Sequence, residues 1–297
     1  MANGAFAIHR LSRRHRQRSL GVDSSNALEA RMQPSLFISH GSPALVITDH
    51  PARDFLVALG QRLPRPQGAL VISAHFETPG VTLGSAMAPA TLHDFYGFPD
   101  SLYQLRYPAP GMPDTARQLA DTLQGHGIAA SLDPERPLDH GIWSPLSLVW
   151  PKAEVPLLPV SVPMAMTAQQ QLEVARRLGE FADAHGLWLI GSGAATHNLG
   201  DRRAEGSPPD AWALAFHDWA CEVAERGDLA ALADWQRQAP QARHAHPTPE
   251  HFLPLLMVVG AMQGEPLRAL HQSFSFGNLS MLTLASQALA DQWSASA

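Results

Sequence analysis

The sequence predicts one α/β domain of three layers, in which a mostly parallel or mixed central sheet is covered by helices on both faces. The first observation behind this prediction is that short apolar runs alternate with amphipathic segments from Pro34 onward. The second is that 45% of the 297 residues are hydrophobic, which is enough to bury a sizeable core and excludes a disordered chain. The third is the lack of internal repeats and low-complexity linkers, which makes one domain the simplest prediction.

The amphipathic segments predict helices, and the apolar runs between them predict strands. A helix over Pro51–Leu63 keeps its apolar residues on one face, and a helix over Thr248–Met262 has Thr248 as its N-cap and Pro249 at its first position. The other predicted helices are Thr115–Leu123, Thr167–His185 and Ala211–Trp235, the last broken near Gly227, and the predicted strands are Ser35–Ile38, Ala69–Ile72, an extended piece beginning at Ile128–Ala130, Val155–Val162 and Leu187–Ile190.

The first 32 residues differ in charge from the rest of the chain. Residues 1–31 contain six arginines against only two acidic residues, Asp23 and Glu29. No apolar region follows the Arg13-Arg14 pair, which argues against a twin-arginine or secretory signal. We therefore expect residues 1–32 to form a flexible basic N-terminal arm and residues 33–297 to form the domain.

Composition excludes several classes of protein. The net charge of −6 argues against a nucleic-acid partner, and no apolar stretch approaches the roughly 18–20 residues that span a membrane. The single cysteine, Cys221, permits no intrachain disulfide and fits a reducing, cytoplasmic location. The sequence contains no nucleophile elbow, no phosphate-binding loop and no complete dinucleotide-binding glycine motif. Composition leaves the oligomeric state open.

Fifteen histidines are the most unusual feature of the composition, because histidine is the commonest metal ligand and titrates near neutral pH. His40, His75 and His197 each follow a predicted strand, and sites in open α/β sheets form outside the carboxyl ends of strands. If these strands are parallel neighbours, the three side chains converge at one edge of the sheet. A lone histidine at a strand end is more often a packed residue than a ligand, but three equivalent positions favour a shared site.

Two further histidines are candidates for the same site. His251 falls in the first turn of the helix predicted from Thr248, next to Glu250. Consecutive helical residues point about 100° apart, so only one of this pair can face a shared centre squarely. His140 lies in a predicted loop just before an apolar segment.

The segment Met87–Pro113 is predicted to be an irregular insertion rich in proline, glycine and aromatic residues. A loop of this length is usually functional. His93, Tyr96 and Phe98 are expected to form part of a wall for an aromatic ligand, while the alternative is that the rings of this segment fill the core.

Seven motifs occur in order along the chain. They are Ser39-His40-Gly41-Ser42-Pro43, Ser73-Ala74-His75, His93-Asp94-Phe95-Tyr96-Gly97-Phe98-Pro99, Tyr107-Pro108-Ala109-Pro110-Gly111, Asp139-His140-Gly141, Gly191-Ser192-Gly193 with His197-Asn198-Leu199, and Pro247-Thr248-Pro249-Glu250-His251. This set resembles the DOPA-type extradiol aromatic ring-opening dioxygenases, relatives of the catalytic subunit of protocatechuate 4,5-dioxygenase. The resemblance covers nearly the whole chain apart from the basic arm.

The resemblance implies that residues 33–297 form a catalytic domain with one mononuclear divalent metal. By match to the family's motifs, His40, His75 and His251 are metal ligands. The two-histidine, one-carboxylate pattern of non-haem Fe(II) oxygenases favours Glu250 as the third ligand, whereas the closer family pattern favours His251. We favour His251, with Glu250 as its partner. Fe(II) is expected for catalysis, and Zn(II) is an alternative because imidazole binds both metals.

The resemblance also implies the reaction, which is extradiol cleavage of a catechol-type, DOPA-like ring with dioxygen. His197 matches a histidine beside the metal and is expected to act both as an acid or base and as an added metal ligand, while His140 matches a second catalytic histidine. Such a histidine accepts a proton from the catechol and later returns one. Two alternatives are a zinc-dependent hydrolase that uses the same histidines and a non-catalytic binding protein on the same fold.

Overall fold

The computed structural model describes Met1 and residues 34–296. The chain divides into two units, Met1–Arg31 and Met32–Ala297. The basic arm predicted over residues 1–32 therefore lies, apart from Met1, outside the described residues. All elements given below belong to the second unit.

The strands within residues 34–296 are β1 Ser35–Ser39, β2 Ala69–Thr78, β3 Val81–Gly84, β4 Ala130–Asp133, β5 Leu157–Pro163, β6 Trp188–Gly193, β7 Leu267–His271, β8 Phe274–Ser275, β9 Leu279–Ser280 and β10 Thr283–Ser286. Eight of them form one sheet in the order β4-β3-β5-β2-β6-β1-β10-β7, and β8 pairs with β9. The four central strands, β5, β2, β6 and β1, are parallel, whereas β3 and β10 pair with their outer members in antiparallel fashion. The predicted α/β fold with a mixed sheet is confirmed.

The helices in the same residues are α1 Pro51–Arg62, α2 Asp100–Tyr103, α3 Pro113–Gly125, α4 His140–Val149, α5 Ala168–His185, α6 Ala211–Arg226, α7 Leu229–Ala233, α8 Trp235–Gln238, α9 Ala242–Ala245, α10 Leu253–Ala261 and α11 Gln287–Ala295. None of these helices is long and apolar enough to cross a membrane.

The two faces of the sheet pack against different helices. Leu36 and Ile38 of β1 belong to an apolar cluster with residues of α1, α4 and α11. Phe37, which lies between them, belongs to a second cluster with residues of α3, α5, α6 and α10. Because side chains alternate across a strand, the one sheet builds two cores and the domain has three layers.

Local sequence signals set two helix boundaries where they were predicted. Helix α5 begins with a capping box, in which the Thr167 hydroxyl accepts from the Gln170 backbone N–H and the Gln170 side chain accepts from the Thr167 N–H. Helix α6 ends at Gly227, whose φ of 61° lies in the left-handed region that glycine enters without steric cost. This glycine is the predicted break.

The predicted start of the last long helix is wrong. Helix α10 begins at Leu253 with Phe252 as its N-cap, and Thr248 caps no helix because residues 247–252 form bends and turns. The His251 carbonyl instead accepts a hydrogen bond of 2.9 Å from the N–H of Ala194, just after β6. This tertiary contact joins the turn before α10 to the end of β6.

The predicted loop at His140 is also wrong, because His140 is the first residue of α4. Strand β2 is longer than predicted and runs to Thr78, so His75 lies inside it, where the pairing with β5 shifts register. The sequence pattern does not predict β7, β10 or α11. The strand β10 has only four residues and pairs both with β7 and with β1, which lies more than 240 positions earlier in the chain.

Candidate metal centre and its cavity

Three histidines meet at the carboxyl edge of the parallel strands. His40 follows β1 and His75 lies in β2, and β6 runs between these two strands in the sheet. His251 joins them from the turn before α10, with its ring centroid 5.3 Å from that of His40 and 4.9 Å from that of His75. One ligand atom from each residue lies within 4.8 Å of those of the other two. His40 and His75, two of the three histidines expected to converge at this edge, therefore lie together, and His251 joins them there.

Hydrogen bonds fix which ring nitrogen each histidine presents. The Nδ1 of His40 lies 3.0 Å from the Ser192 hydroxyl oxygen, and that hydroxyl donates to the Gly141 carbonyl. Ser192 must therefore accept from His40, so Nδ1 carries the hydrogen and Nε2 keeps its lone pair. The Nδ1 of His251 donates in the same way to Glu250 Oε1 at 2.9 Å.

The three Nε2 atoms fit a divalent cation. The Nε2 atoms of His40 and His75 are 3.1 Å apart, so two lone pairs would face each other unless one nitrogen is protonated or a cation is held between the rings. The Nε2 of His251 is buried and has no hydrogen-bond partner in the part of the chain that is described. A buried polar atom without a partner is costly, and metal ligation satisfies it.

Glu250 lies behind His251 and accepts hydrogen bonds from the His251 ring and, at 3.0 Å, from the Thr248 hydroxyl. Its carboxylate also falls in a second possible group of ligands with His197 and His251. The arrangement is that of a carboxylate that orients a metal-binding histidine. This geometry favours His251 over Glu250 as the third ligand.

The histidines of this edge are held in their neutral form. Burial lowers the pKa of His40 and His251 well below the ordinary histidine value, and the charges of neighbouring histidines lower it further. Burial likewise lowers the pKa of His75 to about 3 and that of His197 to about 4. Since only a neutral imidazole can ligate a metal, these rings need not lose a proton first at neutral pH.

His197 and His140 complete the cluster from two sides. The ring of His197 is stacked on that of His251, with centroids 3.5 Å apart and planes 9° apart. The ring of His140 lies 4.0 Å from that of His75, measured between centroids, and hydrogen bonds to Asp94. Both predicted catalytic histidines therefore lie beside the three candidate ligands.

A cavity of about 580 Å³ opens from this cluster to the surface. Its apolar lining comes from the predicted insertion, through Phe95, Tyr96 and Phe98, and from the segment around β9, through Phe276 and Met281. Tyr96 is 92% exposed and therefore lies at the mouth. This volume and apolar lining suit a small-molecule ligand.

His93 does not line this cavity, contrary to expectation. Its Nε2 hydrogen bonds to the Leu105 carbonyl at 3.1 Å, and its ring packs against Phe95, Tyr103 and Trp143. The residue lies behind the wall and supports Phe95, because the loop turns its side chain inward.

Three residues of the site are absent from the sequence-based predictions. Asp94 and Ser192 hydrogen bond to His140 and His40, and Arg202 lines the cavity. Asp94 and Ser192 lie inside two of the seven motifs, and this position could have marked them as site residues. No local pattern, however, identifies the histidines that they contact. Arg202 lies beside Arg203 in a polar loop and carries no distinguishing signal.

The fold agrees with the comparison to known proteins. The chain belongs to the family described as catalytic LigB subunit of aromatic ring-opening dioxygenase, which matches residues 34–283. Its members include class III extradiol dioxygenases.

Individual relatives can be named more closely. The chain is 36% identical to a 4,5-DOPA dioxygenase extradiol from Beta vulgaris over 263 residues, which is 85% of this chain and 96% of the relative. It is also 36% identical over 271 residues to the protein of the same description from Escherichia coli, covering 86% and 96%. A crystal structure of the uncharacterized protein JW3007 from Escherichia coli is similar with a TM-score of 0.70 and 31% identity, over 86% of this chain and 99% of that one.

Proposed function

We propose that this protein is a metal-dependent extradiol dioxygenase that opens the ring of a catechol-type, DOPA-like aromatic with dioxygen. The observation that carries the proposal is the set of three Nε2 atoms at the closed end of an aromatic-walled cavity, beside two further histidines. The descriptions of the relatives support the same reaction.

We propose His40, His75 and His251 as the ligands of one mononuclear metal, with Glu250 as the carboxylate that orients His251. His197 is proposed as an acid or base and as an added ligand, since its ring is stacked on that of His251. Fe(II) is the proposed catalytic metal, and Zn(II) suits the same imidazole set. When bound, the metal supplies the Lewis acidity and the redox chemistry, which no side chain of the cavity can provide.

The side chains of the cavity have the remaining tasks. A catechol must lose protons as it binds, and a neutral histidine at His197 or His140 accepts one at a ring nitrogen. The same ring later returns a proton to the ring-opened product. Phe95, Phe98 and Phe276 hold the aromatic ring and exclude water from the closed end.

Arg202 supports a substrate that carries a negative charge at the mouth. Its Nε donates to the Leu199 carbonyl at 3.1 Å, and its guanidinium has no acidic partner among the described residues. Its neighbour Arg203 is instead paired with Asp210 at 2.8 Å. The guanidinium lies over the Phe276 ring, with 5.9 Å between its central carbon and the ring centroid. A guanidinium on a cavity wall without an acidic partner among the described residues fits a carboxylate, and a DOPA-like catechol carries one.

The test is anaerobic reconstitution with Fe(II), followed by a panel of catechols with and without a carboxylate. Oxygen uptake together with a yellow ring-opened product is the expected result. The matched control is His40→Ala, which should abolish both signals. Hydrolytic turnover with Zn(II) in the absence of oxygen would favour the hydrolase, and binding of catechol without turnover under any metal would favour the binding protein.

A further inference from the structure

The carboxylate of Asp94 links the substrate loop to two histidines of the site. Its Oδ1 accepts from both the backbone N–H and the ring Nδ1 of His140, at 3.0 and 2.9 Å. Its Oδ2 lies 3.7 Å from the Nδ1 of His75. The Asp94 side chain is 21% exposed and that of His140 is 9% exposed, so these contacts are largely shielded from water.

This contact decides the tautomer of His140. A carboxylate can only accept, so the hydrogen of neutral His140 is on Nδ1 and the lone pair is on Nε2. The Nε2 has no hydrogen-bond partner among the described residues, and His140 lines the cavity. The His197 ring, in contrast, makes no hydrogen bond to a carboxylate in the same part of the chain, although Glu250 lies near it, and its backbone N–H donates to Ala245.

We propose that Asp94 is a positioning residue, which holds His140 with the Nε2 lone pair presented to bound substrate. The proposal rests on the proposed ring-opening function for its kinetic consequence, because Asp94 acts through His140 and not on the substrate. Phe95, Tyr96 and Phe98 share the loop of Asp94, so the residue that orients His140 belongs to the loop that forms the cavity wall.

The kinetic test is a double-mutant cycle with the Fe(II)-loaded enzyme. Asp94→Ala should lower kcat about 10–100-fold, the usual cost of losing an orienting partner of a site histidine, with little change in KM. In the His140→Ala background the same substitution should have no further effect, because the group it positions is gone. The proposal would be overturned if the loss of kcat in the double variant equalled the product of the losses in the two single variants. A rise in KM at unchanged kcat in Asp94→Ala would also overturn it. Asp100→Ala, an exposed carboxylate of the same segment, is the matched control and should be silent.

The structural test does not depend on turnover and uses ¹⁵N NMR of the histidine rings in the Zn(II)-loaded protein. Wild-type His140 should show the single Nδ1–H tautomer, Asp94→Asn should keep it through the amide oxygen, and Asp94→Ala should give a mixture. An unchanged tautomer in Asp94→Ala contradicts the proposal whatever the activity. If the tautomer responds as expected but the wild type opens no catechol, the proposed function fails and the role of Asp94 stands. Asp94→Asn keeps the test usable if the alanine variant does not fold.

Discussion

The closed end of the cavity and its mouth are built in different ways. At the closed end, His40 and His251 are 2% and 4% exposed and lie at the ends of core elements. At the mouth, Tyr96 and Leu199 are 92% and 50% exposed and lie on loops. The comparison indicates that core packing holds the histidines at the closed end, whereas the residues at the mouth lie on exposed loops.

Backbone packing shows how tightly the closed end is assembled. A Cβ added at Gly193, the last residue of β6, would lie 2.2 Å from the His251 carbonyl oxygen. Backbone carbonyls do not move as side chains do, so only glycine allows β6 to approach the loop that carries His251. At Gly97, near the mouth, an added Cβ would meet nothing within 4 Å.

The largest effect should come from removing a ligand at the closed end. His40→Ala and His75→Ala should each lose most bound metal and nearly all activity while the fold survives, because the sheet does not depend on these rings. Elemental analysis and circular dichroism check this expectation. His244→Ala, which removes an exposed histidine, is the control and should keep its metal. A metal content near that of the wild type in both ligand variants would contradict the assignment.

The next effect concerns His197, which lies between the two regions. His197→Ala should lower turnover by about 10²–10⁴, the usual contribution of a positioned acid or base, while most of the metal is retained. Turnover and metal content should be measured on the same samples. His197→Gln should not restore the rate, since an amide does not titrate. If the alanine variant loses its metal as fully as His40→Ala, His197 is mainly a ligand and His140 is the remaining base.

A smaller and selective effect is expected at the mouth. Arg202→Gln should raise KM for a carboxylated catechol roughly 10-fold, consistent with about 1.5–3 kcal/mol for a hydrogen bond to a charged group reduced by exposure to water. KM for 4-methylcatechol and kcat for both substrates should hardly change. Arg203→Gln removes a charge of the same sign that is already paired, and serves as control. Equal effects on both catechols would show that Arg202 does not recognise the carboxylate.

The smallest expected effect is a pH dependence of folding stability, caused by a residue outside both regions. Burial lowers the pKa of His271 in β7 to about 4, while the unfolded chain keeps the ordinary value near 6.5. The unfolded state therefore binds more protons between these values, so this contribution to stability is complete above pH 6.5 and is lost as the pH falls toward 4. Denaturant unfolding should give a lower free energy of unfolding at pH 5 than at pH 7. This difference should be smaller in His271→Asn. An identical pH dependence in that variant would rule out His271 as its cause.

The sequence by itself determined the local features of the fold. Apolar runs specify buried strands, and the capping residues of α5 and Gly227 after α6 mark helix ends, because these signals act over a few residues. The histidines that follow β1 and β6 are equally visible, and parallel strands carry such residues to one edge. The seven motifs are also local patterns of a few residues each, and their resemblance to one family identified that family from the sequence.

Only the tertiary structure decided how the site is arranged. The relation of Glu250 to His251 is one such feature, because the Glu250 carboxylate accepts a hydrogen bond from the His251 ring while the His251 carbonyl accepts one from Ala194. The partnership of Asp94 with His140 joins positions 46 residues apart, and β10 pairs with β1 from the other end of the described chain. Such contacts form only when distant segments pack together, so their geometry is not encoded in the periodicity of any single segment.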